Sequence, residues 1–225
     1  MKNKVICIVQ ARTESKRFPN KILEKIKNFS MIEILLKRLK VSKRIDRIII
    51  ATTKNSADDV LKDISKKNKI TLFRGPSNDV LKRFFLCAQK FKADVIVRIT
   101  SDCPLVDVKL LDKMIKMFLD LNNFDYLSNT IKRSFPDGLD IEIFTFKSLK
   151  KANQNCIKKI DREHVTKYIL QNKFFKKKNI EYKKNLSHLR WTLDERDDFN
   201  FIKKIFLNFR TIHFSFEKVL KLLSK

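Results

Sequence analysis

Four short runs of unbroken apolar residues, each followed by a segment with helical spacing, constrain this chain more than any other feature. The runs cover residues 4–10, 47–52, 70–73 and 94–100. A strand apolar on both faces must be covered on both faces, and such strands alternating with amphipathic helices build a largely parallel sheet between helical layers. Local signals mark the helices. Ser30-Met31-Ile32-Glu33 reads as a capping box, with Ile34, Leu35, Leu36 and Leu39 following at helical spacing. Ser56 is expected to cap a helix that ends at Lys67, Ser77-Asn78-Asp79 to open one that ends at Phe91, and residues 108–121 to form another. Beyond Phe124 the alternation loosens. Residues 126–129 and 139–146 read as strands around a Pro136-Asp137-Gly138 turn, 163–171 as a helix, 189–193 as a strand, and 197–209 and 216–223 as helices.

Composition narrows the class. With Gly at 2 and Pro at 4 of 225 residues there is no sign of a long flexible linker, and no repeat of solenoid length is visible. We therefore expect one domain over 1–225, with a nucleotide-binding half at about 1–122 and a substrate-binding half at about 123–225. The apolar run behind Met1-Lys2-Asn3-Lys4 is too short for a signal-peptide core, and no stretch approaches a membrane span, so a cytoplasmic protein with no membrane partner is expected. Cys7, Cys87, Cys103 and Cys156 form no C-x-x-C pair, and Cys7 and Cys87 sit in apolar runs, which argues against a zinc site or a disulfide framework. The formal charge is +26, from 51 Lys+Arg against 25 Asp+Glu. The lysines are spread from end to end with no helix-turn-helix, zinc-finger or RNP pattern. We read them as a solvated surface rather than a nucleic-acid interface, although the field would favour an anionic substrate.

Three features carry chemistry. The loop behind the first strand packs Arg12, Lys16, Arg17 and Lys21 into ten residues at the carboxyl end of a buried strand, where open α/β sheets bind ligands. Such a loop can neutralise a triphosphate, or can simply be a solvated basic loop. Asp102 ends the fourth apolar run, where a carboxylate is costly unless hydrogen-bonded or bound to a cation; it is a Mg²⁺ ligand or a helix or turn cap. Asp194 likewise ends a short apolar run ahead of a helix, as a second metal ligand or a helix cap. Walker A, G-x-G-x-x-G, H-E-x-x-H and G-x-S-x-G patterns are absent.

At these residues the chain resembles the CMP-KDO synthetase-like family, which includes the spore coat polysaccharide cytidylyltransferases, and more distantly the KDO and acylneuraminate cytidylyltransferases. The resemblance is carried by IVQARTESKRFPNK at 8–21, FRGPSNDVLKRF at 73–84, VRITSDCPL at 97–105 and DYLSNT at 125–130. It continues through FPDGLDIEIF at 135–144, REHVT at 162–166 and LSHLRWTLD at 186–194. It implies a Rossmann-like nucleotide-diphospho-sugar transferase fold, with a mixed, mostly parallel sheet flanked by helices. It implies transfer of CMP from CTP to an acidic sugar, with release of pyrophosphate for surface polysaccharide synthesis. The implied nucleotide site comprises Ala11, Arg12, Ser15, Arg17, Lys21, Arg74, Ser77, Asp79, Thr100 and Asp102. Asp102 and Asp194 would hold Mg²⁺, and Arg12, Lys21, Asp102 and Asp194 would act in catalysis. Asp140 and Glu142, alternating on one strand face, would lie near the sugar with Arg162, Glu163 and His164. Relatives are often homodimers. The chain departs from the family by carrying Glu14, Asn20 and Ser101 where glycine is usual. Glu14 in a triphosphate loop keeps two other readings in view, a different nucleoside triphosphate donor and a weakened nucleotide-sugar-binding subunit; the charge of +26 keeps a third, a nucleic-acid-binding protein.

Overall fold

The computed structural model describes residues 3–224; the readings on Met1 and Lys2 lie outside the described residues. The first apolar run forms β1 (Val5–Gln10), followed by a 3-10 turn at Lys21–Leu23 and a small hairpin, β2 (Lys25–Ile26) and β3 (Phe29–Ser30). Then come α1 (Met31–Leu39), β4 (Arg47–Thr53), α2 (Val60–Lys67), β5 (Thr71–Gly75), α3 (Val80–Lys90), β6 (Val95–Thr100) and α4 (Val108–Leu121). The later part holds β7 (Tyr126–Ser128), β8 (Glu142–Thr145), α5 (Phe146–Asn155), α6 (Lys159–Glu163), α7 (Lys167–Gln171), β9 (Lys177–Asn179), α8 (Arg196–Asn208) and α9 (Phe216–Leu223).

Seven strands make one mixed, mostly parallel sheet in the order β5-β4-β1-β6-β8-β7-β9. The first four are parallel, β8 is antiparallel to β6 and to β7, and β9 runs parallel to β7. Apolar groups fill both faces. Cys7, Val9 and Ile50 belong to one core with α1, α4 and α8, whereas Ile6, Ile8 and Ile49 belong to another with α3 and α5. This is the fully covered sheet that the unbroken apolar runs require. The four cysteines are buried and free. No described helix is long and apolar enough to cross a membrane.

Ser30 caps α1 in the expected box: its hydroxyl accepts from the Glu33 amide while the Glu33 carboxylate accepts from the Ser30 amide at 2.9 Å. Several boundaries differ from expectation. Ser56 caps nothing; residues Ser56–Asp59 form a 3-10 turn entered from Asn55, and the α-helix starts at Val60. The strand expected over 139–146 shortens to β8, because the Asn129 side chain bonds Leu139 O (2.8 Å) and Ile141 N (2.9 Å) in place of a ladder. Phe146 opens a helix that Thr145 caps through the Ser148 amide at 3.0 Å. Asp140 therefore precedes β8 and does not share a strand with Glu142. The helix expected over 163–171 is two helices broken at Val165, whose φ of 56° is rare for a β-branched residue. Residues 189–193 form only a single bridge, Asp137 to Arg190, because the segment's backbone partners belong to two loops. Its apolar side chains are still buried, with Trp191 at 1% and Leu193 at 0% exposure.

Candidate active site

β4 and β5 lie to one side of β1 and β6 to the other, so the sheet's topological switch lies between β1 and β6. Gln10 pairs with Thr100 there, and the two following loops diverge to leave a cleft of about 1000 Å³. A crevice at the carboxyl ends of strands at a switch point is where open α/β sheets bind ligands. The cleft is lined by Arg12, Glu14, Ser15, Lys16, Arg17 and Lys21 from the first loop, by Thr100 and Asp102 from the second, and by Glu163 and Asp194.

The first loop is held from below. Asp58, 1% exposed, accepts from the Thr13 amide (2.8 Å) and hydroxyl (2.9 Å), from the Thr52 and Thr53 hydroxyls (2.8 and 2.5 Å) and from the Thr53 amide (3.2 Å). Burial alone would raise this carboxyl, but the Thr53, Thr13 and Thr52 donors outweigh it and hold Asp58 below its ordinary value. The loop closes through Asn20, whose amide donates to Thr13 O (3.0 Å) and whose φ is 57°. Of the three family glycine positions, 14, 20 and 101, only residue 20 has positive φ, and Asn tolerates it. The Glu14 carboxylate accepts from Asn55 Nδ2 at 3.1 Å, an alternative partner to the cleft's cations.

Asp102 and Asp194 arrive from distant segments and are stitched together by the main chain: the Leu193 amide donates to Asp102 O at 2.8 Å. Neither side chain is a helix cap. Asp107 caps α4 (2.9 Å to the Leu110 amide), and Glu195 occupies the cap position of α8. Both carboxylates face one ammonium instead. Lys21 Nζ is 2.8 Å from Asp194 Oδ1 and 3.9 Å from Asp102 Oδ2. Asp194 Oδ2 also meets Arg17 at 2.9 Å and Arg190 at 3.1 Å. Burial pushes the Asp194 carboxyl up, and Lys21, Arg190 and Arg17 together bring it below its ordinary value.

The other residues implied by the resemblance fall outside the cleft lining. Ala11 is buried behind it, its amide on Ala51 O at 3.3 Å. Arg74 donates to Thr53 O (2.7 Å), Asn55 O (2.6 Å) and the Asp59 carboxylate, and Ser77 donates to Asn55 Oδ1 (3.1 Å). Asp79 caps α3 and pairs with Arg162 at 2.9 Å, while Arg162 also donates to Cys156 O at 2.8 Å. Asp140 is gripped by both terminal nitrogens of Arg133, at 2.6 and 2.9 Å. Glu142 is buried against Arg98, with the Tyr126 and Thr166 hydroxyls donating to it at 2.7 and 2.5 Å. The His164 carbonyl accepts from the Thr166 amide at 2.6 Å, across Val165. Glu163 alone of the expected sugar-side group reaches the cleft. The sequence reading missed Asp58, Thr13 and Arg190. Asp58 lies outside every matched stretch, whereas Thr13 lay inside the stretch at 8–21 and Arg190 inside that at 186–194, four residues before Asp194.

Two convergent carboxylates sharing a cation suit a divalent ion. Among the described residues no group of three His, Cys, Asp or Glu could hold a metal, so the remaining positions would fall to phosphate oxygens and water, the usual manner for Mg²⁺. A switch-point cleft with a basic loop and this carboxylate pair defines a nucleotidyltransferase. The chain belongs to the cytidylyltransferase family, whose sequence model, described as "Cytidylyltransferase", matches residues 6–222. It is 40% identical over 226 residues to an uncharacterized protein of Methanocaldococcus jannaschii, covering 99% of this chain and 91% of that protein. It is 30% identical over 213 residues to the spore coat polysaccharide biosynthesis protein SpsF of Bacillus subtilis, covering 91% and 87%. Among solved structures, a cytidylyltransferase from Leptospira borgpetersenii superposes with a TM-score of 0.96 at 34% identity, covering 99% of this chain and 94% of that one.

Proposed function

We propose that this protein transfers CMP from CTP to an acidic sugar of the KDO or sialic-acid kind, with Mg²⁺, releasing pyrophosphate for the synthesis of a surface polysaccharide in the cytoplasm. The observation that carries the reading is the convergence of Asp102 and Asp194 on one cation position beneath a loop bearing Arg12, Lys16, Arg17 and Lys21. The first half supplies the nucleotide grip and the second half the sugar side. Arg74 and Ser77 hold the turn at Asn55 that partners Glu14, the Asp79–Arg162 pair and the Glu142–Thr166 bond flank the segment of Glu163 and His164, and Asp140 would lie toward the sugar.

In this reaction the sugar oxygen bonds to the α-phosphorus while the bond from that phosphorus to the bridging oxygen of pyrophosphate breaks; the hydroxyl proton leaves to water in the open cleft. When bound, Mg²⁺ supplies charge neutralisation on the phosphates and lowers the pKa of the attacking hydroxyl. Asp102 and Asp194 would hold it. Arg12 and Lys21 meet the charge that grows on the leaving group, and Arg17, exposed at the rim, neutralises the triphosphate. The chain's work is positioning and electrostatics. A second copy of the chain is the partner expected in solution.

The test is pyrophosphate release with CTP, UTP, GTP or ATP against a panel of acidic sugars. CTP with one acidic sugar should be the productive pair. Asp102→Asn should abolish release with an unchanged melting temperature; near wild-type turnover in that variant removes the metal assignment.

A further inference from the structure

Asp194 and Asp102 are not waiting as bare carboxylates. Lys21 Nζ lies 2.8 Å from one and 3.9 Å from the other, with the lysine side chain only 12% exposed and Asp194 18%. The second oxygen of Asp194 carries Arg17 and Arg190. A divalent cation placed between the two aspartates would stand within a few ångströms of an ammonium in a sheltered site, where water screens like-charge repulsion poorly. The three cations differ in what ties them down. Arg190 is bound to Asp198 through both Nε (3.2 Å) and Nη2 (3.1 Å), and so stays with the protein. Arg17 is 59% exposed. The Lys21 backbone is fixed, its amide on Phe18 O at 3.3 Å behind the left-handed Asn20, but its ammonium rides on a flexible four-carbon stem. Of the three cations on Asp194, Lys21 and Arg17 are therefore the two that a triphosphate can draw away.

We propose that Lys21 is an exchangeable counter-ion: it occupies the cation position between Asp102 and Asp194 in the nucleotide-free protein and moves to the phosphates when nucleotide binds, so that the divalent metal enters only with the nucleotide. This rests on the nucleotidyl-transfer reading of the cleft. It makes metal and nucleotide binding mutually dependent without a second metal site or a moving domain. The protein carries two carboxylates for the metal; the nucleotide brings the remaining oxygens and removes the competing ammonium.

The experiment reads Mn²⁺ binding directly, by the electron paramagnetic resonance of free Mn²⁺, on the full chain without nucleotide and then with CTP in the absence of any sugar. Wild type should bind Mn²⁺ weakly alone. Lys21→Met should tighten nucleotide-free Mn²⁺ binding by about tenfold or more, the scale on which groups around metal ligands act. Lys21→Arg, which keeps the charge, should remain as weak as wild type, and adding Asp194→Asn to Lys21→Met should erase the gain. In wild type, CTP should tighten Mn²⁺ by a factor larger than in Lys21→Met. Equal nucleotide-free affinity in wild type and Lys21→Met overturns the proposal, as does tight Mn²⁺ binding by wild type alone. If Lys21→Met shows the gain but CTP changes nothing in either protein, the counter-ion role stands and the CTP reading falls. Circular dichroism of each variant guards against loss of fold.

Discussion

Replacing Glu142 with Gln separates a buried ion pair while keeping volume and shape. Glu142 is 8% exposed and Arg98 16%, and the two are in direct contact across the β6–β8 pairing. The carboxylate also accepts from Tyr126 and Thr166, at 2.7 and 2.5 Å. In the variant the amide oxygen can still serve one of those hydroxyls. The guanidinium, however, loses its counter-charge and faces an NH₂ group, and its Nε already has no hydrogen-bond partner among the described residues. Breaking a buried pair by removing one charge costs about 3–5 kcal/mol. At roughly 2–4 °C per kcal/mol for a chain of this size, the melting temperature should fall by about 6–20 °C. The double change Arg98→Met with Glu142→Leu should recover much of the loss, because no charge is then left buried. The pH dependence has a definite sign. Burial raises the Glu142 carboxyl, and Arg98 with the two hydroxyls overcomes this, so its folded pKa lies below its ordinary value. The pair's contribution is therefore fully present above the unfolded carboxylate pKa of about 4.3 and is lost as pH falls through the folded value. The gap between wild type and Glu142→Gln should be full at pH 7 and shrink in acid. Thermal melts across pH measure it; a shift of less than about 2 °C at pH 7 would refute the argument that this pair is a sequestered charge whose removal strands Arg98.

Two further changes probe the scaffold of the cleft. Asp58→Asn removes the charge that gathers five donors under the first loop, and should cost about 2 kcal/mol in urea unfolding and raise the KM for CTP. Because the Asp58 carboxyl is held below its ordinary value, that loss should be complete near neutral pH and fade as the wild type itself is titrated in acid; an unchanged KM would remove Asp58 from the support of the loop. Gly138→Ala places a Cβ 2.5–2.7 Å from the Trp191–Thr192 backbone at a φ of +103°. It should cost at least ~1–2 kcal/mol of stability and reduce pyrophosphate release by displacing the segment that ends in Asp194; wild-type values in both assays would contradict the close approach.

The sequence by itself determined the covered parallel sheet, since unbroken apolar runs have no stable place except between two layers. It determined the helices Met31–Leu39, with its capping box, and Val108–Leu121, and it placed the basic loop and Asp102 at strand ends; that those strands flank a switch point was decided by the order of the sheet. Part of what it hid was still local: Thr145-Phe146-Lys147-Ser148 carries a legible cap for the overlooked helix Phe146–Asn155. The rest was decided by tertiary structure, because it depends on partners far away in the chain. Asn129 replaces a ladder and trims β8; Asp58 reaches back 45 residues to Thr13; Glu142 is consumed by Arg98, Tyr126 and Thr166 rather than left in the cleft. Residues 189–193 looked like a strand because their side chains are apolar, but their amides bond to loops, and one of those bonds, Leu193 to Asp102, sets the two aspartates side by side. Side-chain pattern reports burial; which backbone or charge a buried group meets is a property of the folded chain alone.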